Sequence, residues 1–153
     1  SRAGAEVVQV YVRDVASRVR LPEELVVEAI DAGRLRLRDD SWLSGRSVLF
    51  HGHCHQKAEV GTAATVAMLR RIPGADVREL DAGCCGMAGS FGYSRDHYEV
   101  SHQIGERRLL PAARALKNGE LLAAAGTSCR HQVAHFAGVE ARHPAVILHS
   151  LIE

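Results

Sequence analysis

Hydrophobic and polar positions change period along the chain, and the changes mark its elements. Residues 5–19 (AEVVQVYVRDVASRV) place Val8, Val12, Val15 and Val19 on one stripe of a helix. Pro22 can open a second helix through Glu23–Ala32, with Gly33 to close it. Residues 34–45 are polar and irregular and end in Ser44-Gly45, so a boundary is expected there: a helical arm or linker over 1–45 and the domain proper over 46–153. Beyond Arg46, short apolar runs alternate with helical patterns. Ser47–His51 (SVLFH) reads as a buried strand, and Thr62 can cap a helix over Ala63–Arg71 that Pro73-Gly74 stops. Asp76–Leu80 reads as a second strand, followed by a Gly-rich loop over 81–93. Ser94 or Asp96 can cap a long helix from His97, which Pro111 either kinks or restarts. Glu120–Ala125 reads as a third strand. Ser128 can cap a helix to Ala137 with Gly138 behind it, Val139–Arg142 suggests a fourth short strand, and Pro144–Leu151 a last helix.

Strands alternating with helices imply right-handed crossovers and an α/β fold: a small parallel sheet flanked by helices, with an N-terminal helical arm. In open sheets of this kind ligands gather beyond the C-terminal strand ends. The first three strands each run into a cysteine: Cys54 after the first, Cys84-Cys85 after the second, Cys129 after the third. One edge of one sheet can therefore bring all four sulfurs together.

Composition narrows the chemistry. The 153 residues suit one domain, or one domain plus an extra segment; they are 46% hydrophobic and 24% charged, as a soluble protein with a single core needs. A formal net charge of +1 with scattered arginines gives no case for nucleic acid or a membrane surface. No apolar stretch approaches the roughly 20 residues of a spanning helix, so no transmembrane segment is expected. The location expected is cytoplasmic, at most peripheral to the inner membrane face. The first residues do not look like a signal peptide, and the missing initiator Met fits either an excised fragment of a longer protein or a processed or trimmed one. Vicinal cysteines rarely bridge each other, because the ring strains the peptide. In a reducing compartment such a set is more often metal-binding or redox-active than disulfide-bonded.

Three motifs carry candidate chemistry. In His51-Gly52-His53-Cys54-His55-Gln56-Lys57, thiolate and imidazole both suit zinc or iron. On an extended segment the three histidines face one way and Cys54 the other, so they share one metal only if the chain turns. Taken singly, each histidine reads as a packing residue or one that orients a ligand. In Gly83-Cys84-Cys85-Gly86-Met87-Ala88-Gly89-Ser90-Phe91-Gly92, glycines let the backbone approach a bulky group, and its N–H groups can donate to cluster sulfide or another anion. No phosphate-loop or dinucleotide fingerprint is present. In Thr127-Ser128-Cys129-Arg130-His131-Gln132, Cys129 falls at a predicted helix N-terminus, where the dipole favours thiolate. His131 and His135 are four apart, but Gln132 stands where a zinc protease needs its Glu.

At Cys54, Cys84-Cys85-Gly86 and Cys129 the sequence resembles the cysteine-rich CCG domain, found in heterodisulfide reductase and in the iron–sulfur subunits of glycolate oxidase and anaerobic glycerol-3-phosphate dehydrogenase. The stretches HGHCHQKA, ELDAGCCGMAGSFGY, IGERRLLPA and SCRHQ look like the last CCG copy in proteins that join an FAD-linked oxidase domain to an iron–sulfur region. The likeness spans about residues 46–145. It implies electron transfer within a flavin-dependent 2-hydroxyacid-type dehydrogenase, in partnership with upstream FAD-linked oxidase and iron–sulfur regions. An iron–sulfur cluster would sit on Cys54, Cys84, Cys85 and Cys129, with Gly83 and Gly86 shaping the site and His53, His55 and His131 around the ligands. FAD would bind elsewhere in the full-length protein. The family's final element is often Cys-x-x-Cys; here Gln132 takes the last position, so a five-cysteine arrangement cannot be copied. A four-cysteine cluster or a zinc site remains open. The alternative is a structural zinc-binding or docking module without a redox role. A thiol–disulfide exchanger ranks last, for want of Cys-x-x-Cys.

Overall fold

The structure, a computed structural model, describes residues 2–40 and 42–153, with side chains described from residue 9 onward. Three short strands, β1 (Ser47–His51), β2 (Asp76–Glu79) and β3 (Leu121–Ala124), form one parallel sheet in the order β2-β1-β3. The helices are α1 (Arg2–Arg18), α2 (Pro22–Asp31), α3 (Cys54–Glu59), α4 (Ala63–Leu69), α5 (Tyr98–Glu106), α6 (Leu109–Arg114), α7 (Thr127–Ala137) and α8 (Pro144–His149), with a 3-10 turn over Phe91–Tyr93.

Strand alternation sorts the core into two layers, one on each face of the sheet. Val48, Phe50, Val77 and Ala123 point to the face covered by Val66 and Leu69 of α4 and Ile147 and Leu148 of α8. Leu49, Leu122 and Ala124 point to the other face, covered by Leu109, Leu110 and Ala113 of α6 and Cys129 and Val133 of α7. The register, with Phe50 beside Ala123 and Leu49 beside Leu122, keeps like faces together. β1 is apolar on both sides because it is the central strand of a sheet covered twice.

Local chemistry explains the helix ends. Pro22 and Pro144 occupy first-turn positions, where a missing N–H costs nothing. The Glu24 carboxylate accepts the Leu21 N–H at 3.0 Å, closing the first turn of α2. Gly138 ends α7 in the left-handed region at φ 66°. Val26, Val27 and Ile30 of α2 pack against the core, and Arg71 pairs with both oxygens of Asp31 at 2.8 and 2.7 Å. Of the expected stripe, Val12 and Val15 of α1 and Val19 just beyond its end are exposed; Val8 lies outside the described side chains.

Four details depart from the sequence expectation. Helix α3 begins at Cys54, where an extended segment is expected. The expected fourth strand contracts to one bridging residue: Arg142 accepts from Ala124 N–H and donates to the Leu122 carbonyl, both at 2.9 Å. The long helix breaks at Arg107–Arg108 rather than at Pro111, which sits in the first turn of α6 and has no N–H to lose there. Finally, α5 starts after His97 and α7 after Gly126, without a side-chain cap from Ser94, Asp96 or Ser128.

Both core layers close from protein atoms alone. The chelator-treated chain is therefore expected to melt cooperatively by circular dichroism, with loop 82–92 the part most prone to loosen. A featureless, non-cooperative melt after chelation would make metal the staple of the fold.

Candidate functional site

Parallel strands all end at the same edge of the sheet, and three successive strand ends deliver the cysteines there. β1 leads through Gly52 and His53 into Cys54, the first residue of α3. β2 leads into the loop carrying Cys84 and Cys85. β3 leads through Gly126 into α7, whose third residue is Cys129. Because α3 turns the chain at Cys54, the segment does not stay extended, and its thiol swings toward the second loop. The four thiols are near neighbours: Cys54 acts on Cys84, Cys84 on Cys85, and Cys85 on Cys129. None is in a disulfide, and Cys85 and Cys129 are buried.

Their protons are unequally held. Contact with the Cys129 thiol holds Cys85 below the usual thiol value against the penalty of burial, helped by the backbone N–H of Met87. The same contact with Cys85, together with burial, pushes Cys129 up. The two thiols titrate as a pair, with Cys85 the member drawn toward thiolate and Cys129 the one held as thiol. This corrects the expectation that the α7 dipole makes Cys129 the low thiol. Partial charge at a helix terminus is outweighed by a neighbouring thiolate in a buried, low-dielectric place. Burial, opposed by the Gly86 N–H that donates to its Sγ at 3.3 Å, raises Cys84.

Gly86 has no room for a side chain. Its φ is +101°, and a Cβ there would lie 2.1 Å from the Ser101 carbonyl oxygen of α5. That approach lets the loop carry Cys85 into the core while Gln132 Nε2 donates to Ser101 O at 3.0 Å and Ser101 Oγ at 3.1 Å. Gln132 therefore ties α7 to α5 as a buried structural amide. Gly83, by contrast, is exposed with open space around its Cα.

The predicted histidines divide. His53 lies against Gly126, whose Cβ position would be 2.4 Å from the ring and 2.9 Å from Cys129 Sγ, so it borders the thiols. His55 is exposed on α3, edge-on to His53. His131 is exposed and pairs with Tyr93 OH at 2.5 Å on the wall of a separate cavity of about 600 Å³ that His135, Tyr98 and Phe136 also line. A second cavity, of about 590 Å³, opens beside Cys84 and Gly83, with Arg107 and Arg108 at its rim. Among the described residues, no three His, Cys, Asp or Glu side chains converge to hold a single ion.

His51 escapes the sequence reading, which treats it like its neighbours. It is fully buried, and burial, with Lys57 and His53 nearby, lowers its pKa to about 4. An unfolded imidazole titrates near 6.5. Between these values the unfolded chain binds the extra proton, so stability is full above pH 6.5 and is lost as pH falls toward 4. The cluster-free parent should lose about 2–3 kcal/mol more than His51→Leu between pH 7 and 4 in urea melts. Parallel pH profiles for the two would show that the ring is not held neutral.

The chain is similar to curated dehydrogenase proteins. It is 30% identical over 103 residues to one subunit of the anaerobic glycerol-3-phosphate dehydrogenase of Escherichia coli (strain K12), covering 66% of this chain and 25% of that protein. It is 34% identical over 123 residues to D-2-hydroxyglutarate dehydrogenase of the same strain, covering 80% of this chain and 12% of that protein. Its likeness to D-2-hydroxyglutarate dehydrogenase of Pseudomonas putida is 30% over 133 residues, again 12% of the relative. The chain thus spans between about an eighth and a quarter of the length of these relatives. No protein-family model matches it. No solved structure matches it. No helix among the described residues is long and apolar enough to cross a membrane.

Proposed function

We propose that the chain is the iron–sulfur electron-transfer domain of a flavin-dependent dehydrogenase of the 2-hydroxyacid type, a part of a longer protein that supplies the flavin and further iron–sulfur regions. The observation that carries this reading is the gathering of Cys54, Cys84, Cys85 and Cys129 at the ends of three parallel strands, with one of them already favouring thiolate. Thiolates are the ligands of such clusters. The donor type fits such a centre: four thiols, none in a disulfide, are delivered from three strand ends. The dehydrogenase relatives support the reaction class, and the small share of their length that this chain spans supports a fragment.

A bound cluster supplies one-electron oxidation and reduction. The protein's own contributions are to present thiolate at Cys85, to hold the loop by Gly86 and Gln132, and to keep water from Cys85 and Cys129 by burial. Arg107 lines the cavity beside Cys84 and brings positive charge to that side of a thiolate-bound centre, while Arg108 on the same wall pairs with Asp81 at 3.4 Å.

Anaerobic reconstitution with iron and sulfide is expected to give a brown protein with stoichiometric iron and acid-labile sulfide. The chain alone is expected to turn over none of lactate, glycolate or 2-hydroxyglutarate with a dye acceptor. One tightly held, colourless zinc and no sulfide would replace this reading with a structural zinc module.

A further inference from the structure

β1 ends on a buried histidine that the protein leaves without partners. His51 is fully buried, and neither Nδ1 nor Nε2 has a hydrogen bond. An orphaned buried polar group costs about 1–3 kcal/mol, and in a native structure it points to something that completes it. Strand geometry shows which way the ring faces. Val48 and Phe50 point to one layer of the core, Leu49 to the other. His51 follows the parity of Leu49 and stands in register with Ala124, which packs in the same group as Cys85 and Cys129. The ring is therefore on the thiol side of the sheet, at the strand end. Lys57, one of the groups that act on it, carries only donors and gives its own proton to the Ala82 carbonyl. In the buried core group that holds Ala124, the side-chain acceptors are the sulfurs of Cys85, Met87 and Cys129.

Resting on the iron–sulfur reading above, we infer that His51 is a positioning residue whose ring N–H donates to a sulfur of the bound centre. Hydrogen bonds to cluster sulfur favour the reduced, more negative state and so raise the potential. The same bond would satisfy the ring.

The test is EPR-monitored potentiometry on the reconstituted chain, with iron and sulfide assayed in each sample. His51→Leu is expected to keep the cluster and to lower the reduced-to-oxidised ratio at fixed potential roughly tenfold, about 59 mV for a one-electron couple. His51→Asn and His51→Gln each keep an N–H near one ring nitrogen, and one of them should recover the parent's potential. Loss of the cluster in the leucine variant alone, with retention in an amide variant, also supports the donor role. An unchanged potential in a fully loaded His51→Leu overturns the inference and leaves the cluster reading standing; an internal water then satisfies the ring. Loss of the cluster in all three variants overturns it too, because the imidazole itself would be a ligand. A parent chain that takes up no iron and sulfide overturns both.

Discussion

Cys85→Ser is expected to reduce iron and acid-labile sulfide uptake on anaerobic reconstitution by about 100-fold or more. Loss of a group that merely orients a metal ligand already costs 10–100-fold, and Cys85 is the thiol that favours the ligating, deprotonated form. A serine hydroxyl stays protonated at neutral pH and is a poor partner for iron in a sulfur site. The substitution is nearly isosteric, so the fold should survive with a cost of about 1–2 kcal/mol for a buried hydroxyl. Circular dichroism of the metal-free variant separates lost ligation from lost structure. Parent-level iron and sulfide in a folded Cys85→Ser would remove this residue from the ligand set.

Gly86→Ala is expected to destabilise the metal-free chain by roughly 3–5 kcal/mol, the sum of a left-handed backbone and an overpacked contact. A methyl group at φ +101° would stand 2.1 Å from the Ser101 carbonyl oxygen, and backbone cannot rotate out of the way as a side chain can. Either α5 moves off the loop, which also breaks the Gln132 bonds to Ser101, or the Cys84-Cys85 segment leaves the core. Urea unfolding measures the loss. Gly83→Ala is the control, since nothing lies within 4 Å of a Cβ there, and its midpoint should stay within about 0.5 kcal/mol of the parent. Equal midpoints for Gly86→Ala and the parent would mean that the loop has another conformation in solution.

The alternation of strands and helices is written locally in the chain, and with it come the parallel sheet and the delivery of cysteines to one edge. SVLFH and ELLAAA are apolar runs of strand length between turn residues, and the helices between them carry apolar positions at helical spacing. These signals are set by backbone period and by which residues tolerate burial. Gly86 was legible as a glycine in a cysteine loop, but the carbonyl that requires it belongs to Ser101, fifteen residues on.

Other features depend on distant neighbours, and folding alone settles them. Helix α3 buries none of its residues, so its sequence has no apolar stripe to announce it; the turn it makes at Cys54 nonetheless directs that thiol to the second loop. The Cys85–Cys129 thiol pair joins residues delivered by different strands, and their contact, with burial, raises Cys129 against the helix dipole that local sequence suggests. Gln132 reads locally as one more polar residue of a helix and becomes a buried tie only because α5 runs beside α7. His51 reads as one more histidine of a polar motif until register sets it beside Ala124, on the face of the sheet where Cys85 and Cys129 are packed. Burial of a polar ring is settled by tertiary packing, and the helices α6 and α7 that cover this face of the sheet lie far along the chain.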